Sequence, residues 1–306
     1  MSLPCHIPTG KTLLVITGAT GSGKTGLAIE IARRLGCHII SADSRQVYRD
    51  LPIGTAAPTP QQLAAVPHHL VGMLGLEEGY SAAAFDCDVA GLLPQLWLDN
   101  DYAIICGGSM MYVDAFVNGL DELPDISPAT RDLAWAIFEK KGVEGLHEAL
   151  RELDPDYLAK ADLANHKRLI HAVEVSIQAG VPYSSLLTGK KRKHPFRIVR
   201  MAIGHERDEL FARINRRVDE MIEAGMEDEA RRVYQFKHLN SLNTVGYKEL
   251  FAMMEGRMDR ATAIARIGKN TRVYAKKQLT WMKRQPEINI LRPDCALDSA
   301  MKLIGR

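Results

Sequence analysis

The sequence predicts an α/β protein with a parallel-sheet core, a helical insertion and a helical C-terminal region. Short apolar runs alternate with helix-spaced apolar residues over residues 11–117, and this alternation is typical of parallel strands joined by right-handed crossovers. The strand pattern stops over residues 124–193 and returns at residues 196–204. From Gly204 to about Arg284 the spacing of apolar residues is helical again.

Three apolar runs justify the strands of the core. Residues 11–17, 38–42 and 102–106 are each followed by glycine or turn residues, as expected for buried parallel strands. A helix is predicted after the first run, because Leu27, Ile31 and Leu35 recur every four residues. We therefore expect a core of residues 1–123 and 194–306, with residues 124–193 as a helical insertion domain.

Composition excludes several classes of protein. Of 306 residues, 46% are hydrophobic and 25% are charged, which is ordinary globular usage. No segment approaches the roughly 20 apolar residues of a membrane span, and the N-terminus does not resemble a signal peptide, so we expect a cytoplasmic protein. Five cysteines without a CxxC pair argue against a zinc site and a disulfide framework, and Cys37 and Cys106 are expected in the core.

The net charge of +2 is unevenly distributed. Residues 1–199 carry 18 basic and 22 acidic side chains, whereas residues 200–306 carry 21 basic and 15 acidic ones. Residues 260–284 contain eight basic side chains and no acidic one. This asymmetry is typical of proteins that bind a polyanionic partner.

A phosphate-binding loop follows the first predicted strand. Its sequence matches G-x-x-x-x-G-K-[ST] and lies between a strand and a helix, which predicts a P-loop NTPase-like core. Backbone N–H groups and the helix N-terminus would bind phosphate, Lys24 would contact the outer phosphate, and the Thr25 hydroxyl would ligate Mg²⁺. The predicted diphosphate-binding residues are Gly18, Ala19, Thr20, Gly21, Ser22, Gly23, Lys24 and Thr25.

Asp43 follows the second predicted strand. The strands at 102–106 and 196–204 lack the terminal aspartate that usually holds Mg²⁺ in phosphate-loop ATPases. Since ligands lie at the carboxyl ends of parallel strands, Asp43 is expected beside the phosphate loop. Two interpretations remain open: a turn or helix-capping aspartate, and a general base close to a phosphorylated substrate.

A long basic helix is predicted over residues 259–284. Ile267, Tyr274 and Trp281 are spaced by seven and are expected against the core. The opposite face is either simply solvated or binds a phosphate backbone. That face carries Lys269, Arg272, Lys276 and Lys283.

Seven motifs in this order make the chain resemble the tRNA dimethylallyltransferase family, also called tRNA isopentenyltransferases, of the bacterial type. The resemblance covers residues 11 to about 285. The motifs are GATGSGKT (18–25), SADSRQVYR (41–49), PHHL (67–70), GGSMMY (107–112), RINRRVDEM (213–221), TVGYKE (244–249) and TRVYAKKQLTW (271–281).

The resemblance implies transfer of a dimethylallyl group from dimethylallyl diphosphate to N6 of the adenosine just 3′ of the anticodon, with Mg²⁺ as cofactor. It also implies that the phosphate loop holds diphosphate with help from Arg213, and that Asp43 takes the N6 proton with Ser109 nearby. A monomer that binds the anticodon stem-loop of tRNA and no membrane is expected. The implied tRNA-binding residues, together with the basic face, are Asp43, Ser44, Arg45, Gln46, Ser109, Arg131, Lys167, Arg168, His171, Lys269, Arg272 and Lys276.

The insertion departs from the pattern N-D-x-x-R-x-x-R-A-x-E-V that the family usually shows there. Asn165 replaces the acidic residue and His171 replaces the second arginine. A neutral imidazole cannot make the bidentate phosphate contact of an arginine, so the role of His171 is open.

Three other functions are considered. An adenylate isopentenyltransferase would share the phosphate loop but would not need the insertion or the basic helix. A small-molecule P-loop kinase would need ATP turnover and a purine pocket. A non-catalytic RNA-binding module would not depend on Asp43.

Overall fold

The structure is a computed structural model that describes residues 10–305, and these residues divide into two compact units. The second unit is Asn118–Arg192, and the first consists of the described residues before and after it.

The first unit contains a six-stranded sheet in which every neighbouring pair is parallel. The strands are β1 (Thr12–Thr17), β2 (Ile39–Ser41), β3 (His68–His69), β4 (Tyr102–Gly107), β5 (Arg197–Ile203) and β6 (Asn289–Leu291). The order across the sheet is β3-β2-β4-β1-β5-β6. This confirms the predicted α/β class with a parallel sheet; the short strands β3 and β6 were not predicted.

Helices make up most of the remaining described chain. The 3₁₀ turns are Tyr234–Phe236, Asn240–Leu242 and Pro293–Cys295. The α-helices are α1 (Lys24–Leu35), α2 (Pro60–Ala65), α3 (Ala82–Leu96), α4 (Met110–Asn118), α5 (Pro128–Leu153), α6 (Pro155–Leu158), α7 (His166–Ala179), α8 (Tyr183–Leu186), α9 (Arg207–Glu223), α10 (Met226–Val233), α11 (Tyr247–Met254), α12 (Arg260–Lys283) and α13 (Ala296–Ile304). Among residues 10–305, no helix combines the length and the apolar character that crossing a membrane requires.

Both faces of the sheet are covered, because alternate strand residues point to opposite sides. Leu14 and Ile16 of β1 pack in one core cluster with residues of α1 and α13. Leu13 and Val15 pack in another with residues of α3 and α4. The inner strands β1, β2 and β4 are buried on both faces and are mostly apolar, as parallel strands usually are. Cys37 and Cys106 are buried, as predicted.

The second unit has its own hydrophobic core, formed mainly by α5 and α7. Asp154 is fully buried and fixes the chain after α5: its Oδ1 accepts hydrogen bonds from Tyr157 N (2.9 Å) and Ser184 Oγ (2.7 Å), and its Oδ2 accepts one from Ser184 N (2.6 Å). Such full pairing is what a buried carboxylate requires. The core consists of Ala134, Leu146, Leu150, Leu169, Ile170, Ala172 and Val173, with further apolar side chains around it.

The topology brings three loops together at one edge of the sheet. Strands β2, β4 and β1 are neighbours, so the segments that follow Ser41, Gly107 and Thr17 leave the sheet side by side. Gly107 has to be glycine, because a Cβ there would overlap the backbone of Ala42. This close approach places the turn after β2 directly against the turn after β4.

Candidate active site

The phosphate loop connects β1 to α1. Gly21 (φ 80°) and Gly23 (φ 88°) have left-handed backbone conformations that favour glycine, and Gly23 is the N-cap of α1. Ser22 N donates to Ala19 O at 3.1 Å, which closes the turn. The loop thus presents the N-terminus of α1, where an anion is favoured.

Lys24 is the first residue of α1, and its ammonium lies inside the curve of the loop. Its Nζ donates to Ala19 O at 3.3 Å. Burial lowers the pKa of Lys24, and Arg217 lowers it further, while Cys106 and Asp43 act in the opposite direction. A desolvated ammonium next to a guanidinium would gain from an anion, so this arrangement favours binding of a phosphate or diphosphate.

Two arginines of α9 reach the loop from the other side. Arg213 Nε donates to Gly21 O at 2.8 Å, and Arg217 Nη1 donates to Thr20 Oγ1 at 3.1 Å. Burial lowers the pKa of Arg217, and Asp43 partly offsets this effect. Arg213 was expected here from the resemblance, but Arg217 was missed. Its signal was available: a spacing of four places it on the same face of α9 as Arg213.

Asp43 is half-buried at the carboxyl end of β2. Its Oδ1 accepts hydrogen bonds from Arg45 N (2.9 Å) and Gln46 N (3.4 Å), so the turn interpretation is correct for that oxygen. Among the described residues, Oδ2 has no hydrogen-bond partner. The carboxylate therefore keeps one oxygen that can accept a proton, and the two interpretations do not exclude each other.

Ser109 holds this turn in place. Its side chain is buried, its Oγ accepts a hydrogen bond from Ser44 N at 2.8 Å, and its backbone N donates to Ala42 O at 3.1 Å. The hydroxyl proton of Ser109 is not used in the contact with Ser44. Ser109 is thus in position to fix the backbone next to Asp43 and still donate one hydrogen bond.

Gln46 and Arg45 are engaged within the chain. Gln46 Nε2 donates to Thr55 O (3.3 Å) and Ala56 O (3.0 Å), and its Oε1 accepts from Ser41 Oγ (3.2 Å). Arg45 Nη1 donates to the carbonyl oxygens of residues 240 and 241 at 2.8 and 3.0 Å. In this structure both side chains organise the loops around Asp43.

Helix α12 completes the site from the far end of the sequence. Gln278 is buried; its Oε1 accepts a hydrogen bond from Thr20 N at 2.9 Å, and its Nε2 donates to Gly108 O at 2.8 Å. It therefore ties the phosphate loop to the turn after β4. Gln278 lies within the motif TRVYAKKQLTW, but nothing in the sequence indicated that its amide bridges two loops.

The expectation for Tyr274 was wrong. Ile267 is buried and Trp281 packs against the core, as predicted, but the Tyr274 side chain is 38% exposed and lines the cavity that contains Asp43. Burial of its hydroxyl and the nearby Asp43 raise the pKa of Tyr274 to about 12. The spacing of seven residues predicts that Tyr274 packs against the core. In the structure, α12 passes over a cavity at this position.

Two cavities open onto these groups within the first unit. The phosphate cavity, of about 660 Å³, is lined by Lys24, Thr25 and Arg213 and has apolar walls. The Asp43 cavity, of about 350 Å³, is lined by Asp43, Ser44 and Tyr274. Both are lined by Arg217 and Met221, so the cation site and the carboxylate meet at these two side chains. Apolar residues of the phosphate cavity are Pro52, Ile53, Ala56, Ala57, Pro58, Met221 and Ala224.

A buried glutamate supports the wall that the two cavities share. Glu229 Oε2 accepts from Ile53 N (2.8 Å), and its Oε1 accepts from Gly54 N (2.7 Å) and Tyr247 Oη (2.6 Å). Each carboxylate oxygen is thus paired. The loop that lines both cavities is held by this network, which no sequence motif indicated.

On the basic face of α12, Lys269, Lys276 and Lys283 are exposed. Arg272 is only half-exposed, because its Nη1 donates to Asn215 Oδ1. Lys276 Nζ lies 5.6 Å from the ring centroid of Phe211.

The predicted residues of the insertion lie in the second unit. Arg131, Lys167, Arg168 and His171 are exposed. Glu174 brings two of them together: its Oε1 lies 3.8 Å from Arg131 Nε, and its Oε2 lies 3.7 Å from His171 Nδ1.

Asn165 has a structural role. It is the N-cap of α7, and its Oδ1 accepts a hydrogen bond from Arg168 N at 3.4 Å. Asparagine and aspartate are both good N-cap residues, so the amide can replace the acid that the family usually has here.

Comparison with known proteins identifies the family. The sequence profile described as IPP transferase matches residues 46–285. The chain is 49% identical to tRNA dimethylallyltransferase 2 of Parabacteroides distasonis over 93% of this chain and 95% of that one, and 47% identical to tRNA dimethylallyltransferase 2 of Porphyromonas gingivalis over 96% and 98%.

A solved structure agrees with this result. The crystal structure of the full-length tRNA isopentenylpyrophosphate transferase from Bacillus halodurans superposes with a TM-score of 0.71 at 32% identity, covering 96% of each chain. The core thus has the P-loop NTPase-like fold expected from the phosphate loop. The profile covers residues 46–285, and the relatives and the solved structure cover more than nine-tenths of the chain, which therefore belongs to the IPP transferase family.

Proposed function

We propose that this protein is a tRNA dimethylallyltransferase, which transfers a dimethylallyl group from dimethylallyl diphosphate to N6 of the adenosine just 3′ of the anticodon. The observation that carries the proposal is the meeting of two cavities at Arg217 and Met221. One is cationic and suits a diphosphate, and the other contains a carboxylate that suits an acceptor amine. A hydrolase, whose acceptor is water, would not need this second cavity.

The phosphate cavity suits the donor. An allylic diphosphate ionises readily when the charge on its leaving group is stabilised, and Lys24, Arg213 and Arg217 surround the loop that would hold that group. Preorganised donors of this kind are usually the largest contribution to catalysis. The apolar walls next to these cations suit the hydrocarbon part of the donor.

The Asp43 cavity suits the acceptor. N6 of adenine is a weak nucleophile, because its lone pair is delocalised into the ring. As N6 bonds to C1 of the dimethylallyl group, the bond from C1 to the diphosphate oxygen breaks, and a proton leaves N6. Oδ2 of Asp43 accepts that proton, while Ser109 keeps the turn in place. The products are N6-(dimethylallyl)adenosine and diphosphate.

Mg²⁺ is the proposed cofactor, and the residues present fit it. Thr25 lies in the first turn of α1 and lines the phosphate cavity beside Lys24, so its hydroxyl would hold the ion together with phosphate oxygens and water. When bound, Mg²⁺ would help to neutralise the charge of the leaving diphosphate.

The proposed second substrate is the anticodon stem-loop of tRNA. The target adenine has to leave its stack to reach a carboxylate at the strand ends, as in other enzymes that modify bases. We propose that the insertion, residues 124–193, and the basic face of α12 bind the tRNA. Arg131, Lys167 and Arg168 are exposed and available for phosphate contacts. We further propose that the protein acts as a monomer, in the cytoplasm where tRNA is modified.

One experiment tests this proposal. The protein is incubated with Mg²⁺ and dimethylallyl diphosphate labelled in its dimethylallyl group, with either total tRNA or AMP as acceptor, and the products are digested to nucleosides. We expect label in N6-(dimethylallyl)adenosine from tRNA only, and incorporation slower by about 10² or more when Lys24→Ala replaces the native protein. Label in AMP would indicate an adenylate isopentenyltransferase. Absence of transfer to either acceptor would contradict the proposal.

A further inference from the structure

An exposed aromatic patch lies on the second unit, apart from the residues assigned above. It consists of Trp135 and Phe138 of α5 and His166, the first residue of α7. The rings of Trp135 and Phe138 pack edge to face with centroids 5.9 Å apart, and Phe138 stacks on His166 with centroids 5.1 Å apart and planes 11° apart. The three rings thus form one continuous aromatic surface, which we call the Trp135 patch.

Trp135 is not needed for the core of its unit. Phe138 packs against that core, but Trp135 is not among the side chains that form it or surround it, and the Trp135 side chain is 40% exposed. In contrast, Trp97 is fully buried and Trp281 packs against the core of the first unit. A tryptophan that is exposed but held by an edge-to-face contact presents a preoriented ring, and exposed apolar surface of this kind marks interaction sites.

Basic side chains surround the patch. Arg131 lies one helical turn before Trp135 on the same face of α5, and Lys167 and Arg168 directly follow His166. All three are exposed. Asp132 and Glu139 also lie on α5 within one turn of Trp135, so the charge around the ring is mixed. We therefore expect Trp135 to contribute to binding through the π-face of its ring. The basic side chains are expected to bind a phosphate backbone nearby.

We propose that Trp135 is a stacking platform for an unpaired base of the tRNA substrate, and this inference rests on the proposed function. Proteins read single-stranded RNA loops by stacking splayed bases on aromatic rings that basic side chains flank. The Trp135 patch has both components, and an anticodon loop offers unpaired bases. Phe138, which is itself stacked on His166, keeps the Trp135 ring in place. This lowers the entropy lost when a base stacks on the ring.

The test compares Trp135→Ala, Trp135→Phe and a matched control, Leu133→Ala. Leu133 is 57% exposed, also lies on α5 and is not part of the patch. The Kd of an anticodon stem-loop RNA is measured for each as a function of salt. We expect Trp135→Ala to raise Kd about tenfold, Trp135→Phe to restore most of the affinity, and Leu133→Ala to have little effect. Stacking releases no counterions, so the slope of log Kd against log salt should stay unchanged.

Fluorescence gives an independent readout that a structural role would not change. Of the three tryptophans, only Trp135 has an exposed ring outside the cores, so RNA binding should quench the emission of the native protein, and Trp135→Phe should abolish this quenching. An unchanged Kd for Trp135→Ala would overturn the proposal and would favour a protein as the partner of the patch. Native protein that neither binds nor modifies tRNA would instead contradict the proposed function. Transfer at saturating RNA should be normal in Trp135→Ala, which separates lost binding from misfolding.

Discussion

The Asp43 carboxylate performs two tasks with two oxygens. Oδ1 closes the turn after β2 through Arg45 N and Gln46 N, and Oδ2 remains available in the Asp43 cavity. The cations Lys24 and Arg217 interact electrostatically with this carboxylate. Because the turn holds the carboxylate rigidly, little reorganisation is needed when a proton is transferred to it.

These two tasks can be separated by Asp43→Asn. The amide oxygen of asparagine can still accept the two backbone hydrogen bonds, so the turn should persist, but the amide cannot take a proton. We expect kcat to fall by about 10² or more, the range typical for losing a general base, while the Kd for tRNA changes little. Single-turnover kinetics at saturating tRNA measures this step. A normal chemical rate in Asp43→Asn would make Asp43 a positioning residue only.

Lys24 should determine how donor affinity depends on pH. Burial holds the pKa of Lys24 below its ordinary value, and a bound diphosphate raises that pKa again, so binding at alkaline pH should take up a proton. Affinity for pyrophosphate should accordingly fall as the pH rises through the lowered pKa, at a lower pH than for an ordinary lysine. Calorimetry in buffers of different ionisation enthalpy measures the proton uptake.

The matched variants for this prediction are Lys24→Arg and Lys24→Ala. Arginine stays charged over this pH range, so Lys24→Arg should lose the proton uptake, and Lys24→Ala should lose both the uptake and about 10² in turnover. Proton uptake that persists in Lys24→Ala would mean that another group titrates.

At the scale of elements, α12 serves the site and a surface at once. Gln278 and Tyr274 face the strand ends, while Lys269 and Lys276 are exposed. If the basic face binds tRNA, replacing Lys269, Arg272 and Lys276 by alanine should weaken tRNA binding and reduce the slope of log Kd against log salt by about one per lost phosphate contact. Filter binding at several salt concentrations measures the slope, and an unchanged slope would show that this face is only solvated.

Gln278 should control the donor site without taking part in the reaction. Replacing it with leucine of similar volume leaves Thr20 N without its partner and Gly108 O with only the Tyr274 hydroxyl at 3.4 Å. An unpaired buried group costs about 1–3 kcal/mol. The phosphate loop should then be less well ordered, so KM for dimethylallyl diphosphate should rise while kcat at saturation changes less. Gln278→Glu keeps the acceptor for Thr20 N but loses the donor to Gly108 O, so comparing it with Gln278→Leu separates the two contacts. A KM unchanged in Gln278→Leu would contradict this role.

The parts of the site that could be predicted are local in sequence. The phosphate loop and Asp43 each follow a strand directly, and the rule that ligands bind at carboxyl ends brought them together. Gln278 and Glu229 could not be found this way, because they reach the site from distant helices and their function depends on the backbone atoms that they meet. The prediction that Tyr274 packs against the core was wrong for the same reason. Periodicity identifies the residues that share a helix face, but not whether that face contacts core or a cavity.

For the molecule as a whole, the division into two units has a consequence for stability. The first unit carries the phosphate loop, and the second has a separate hydrophobic core on α5 and α7. A ligand that binds only the folded phosphate loop raises the free energy of opening that region by RT ln(1 + [L]/Kd), about 2.7 kcal/mol at a hundredfold excess over Kd. For regions that can open without releasing the ligand, the free energy of opening does not change.

Hydrogen exchange followed by mass spectrometry tests this consequence. With Mg²⁺ and pyrophosphate, amides of residues 18–27 should exchange up to about 100-fold more slowly, the factor that corresponds to 2.7 kcal/mol, while amides of α5 and α7 should be unaffected. Anticodon stem-loop RNA should produce protection at the start of α7, where Lys167 and Arg168 lie. Lys24→Ala should remove the protection of residues 18–27 by pyrophosphate and keep the protection of α7 by RNA. Protection of α7 by pyrophosphate alone would mean that the two units open together, and loss of both effects in Lys24→Ala would mean that the RNA needs an occupied phosphate loop.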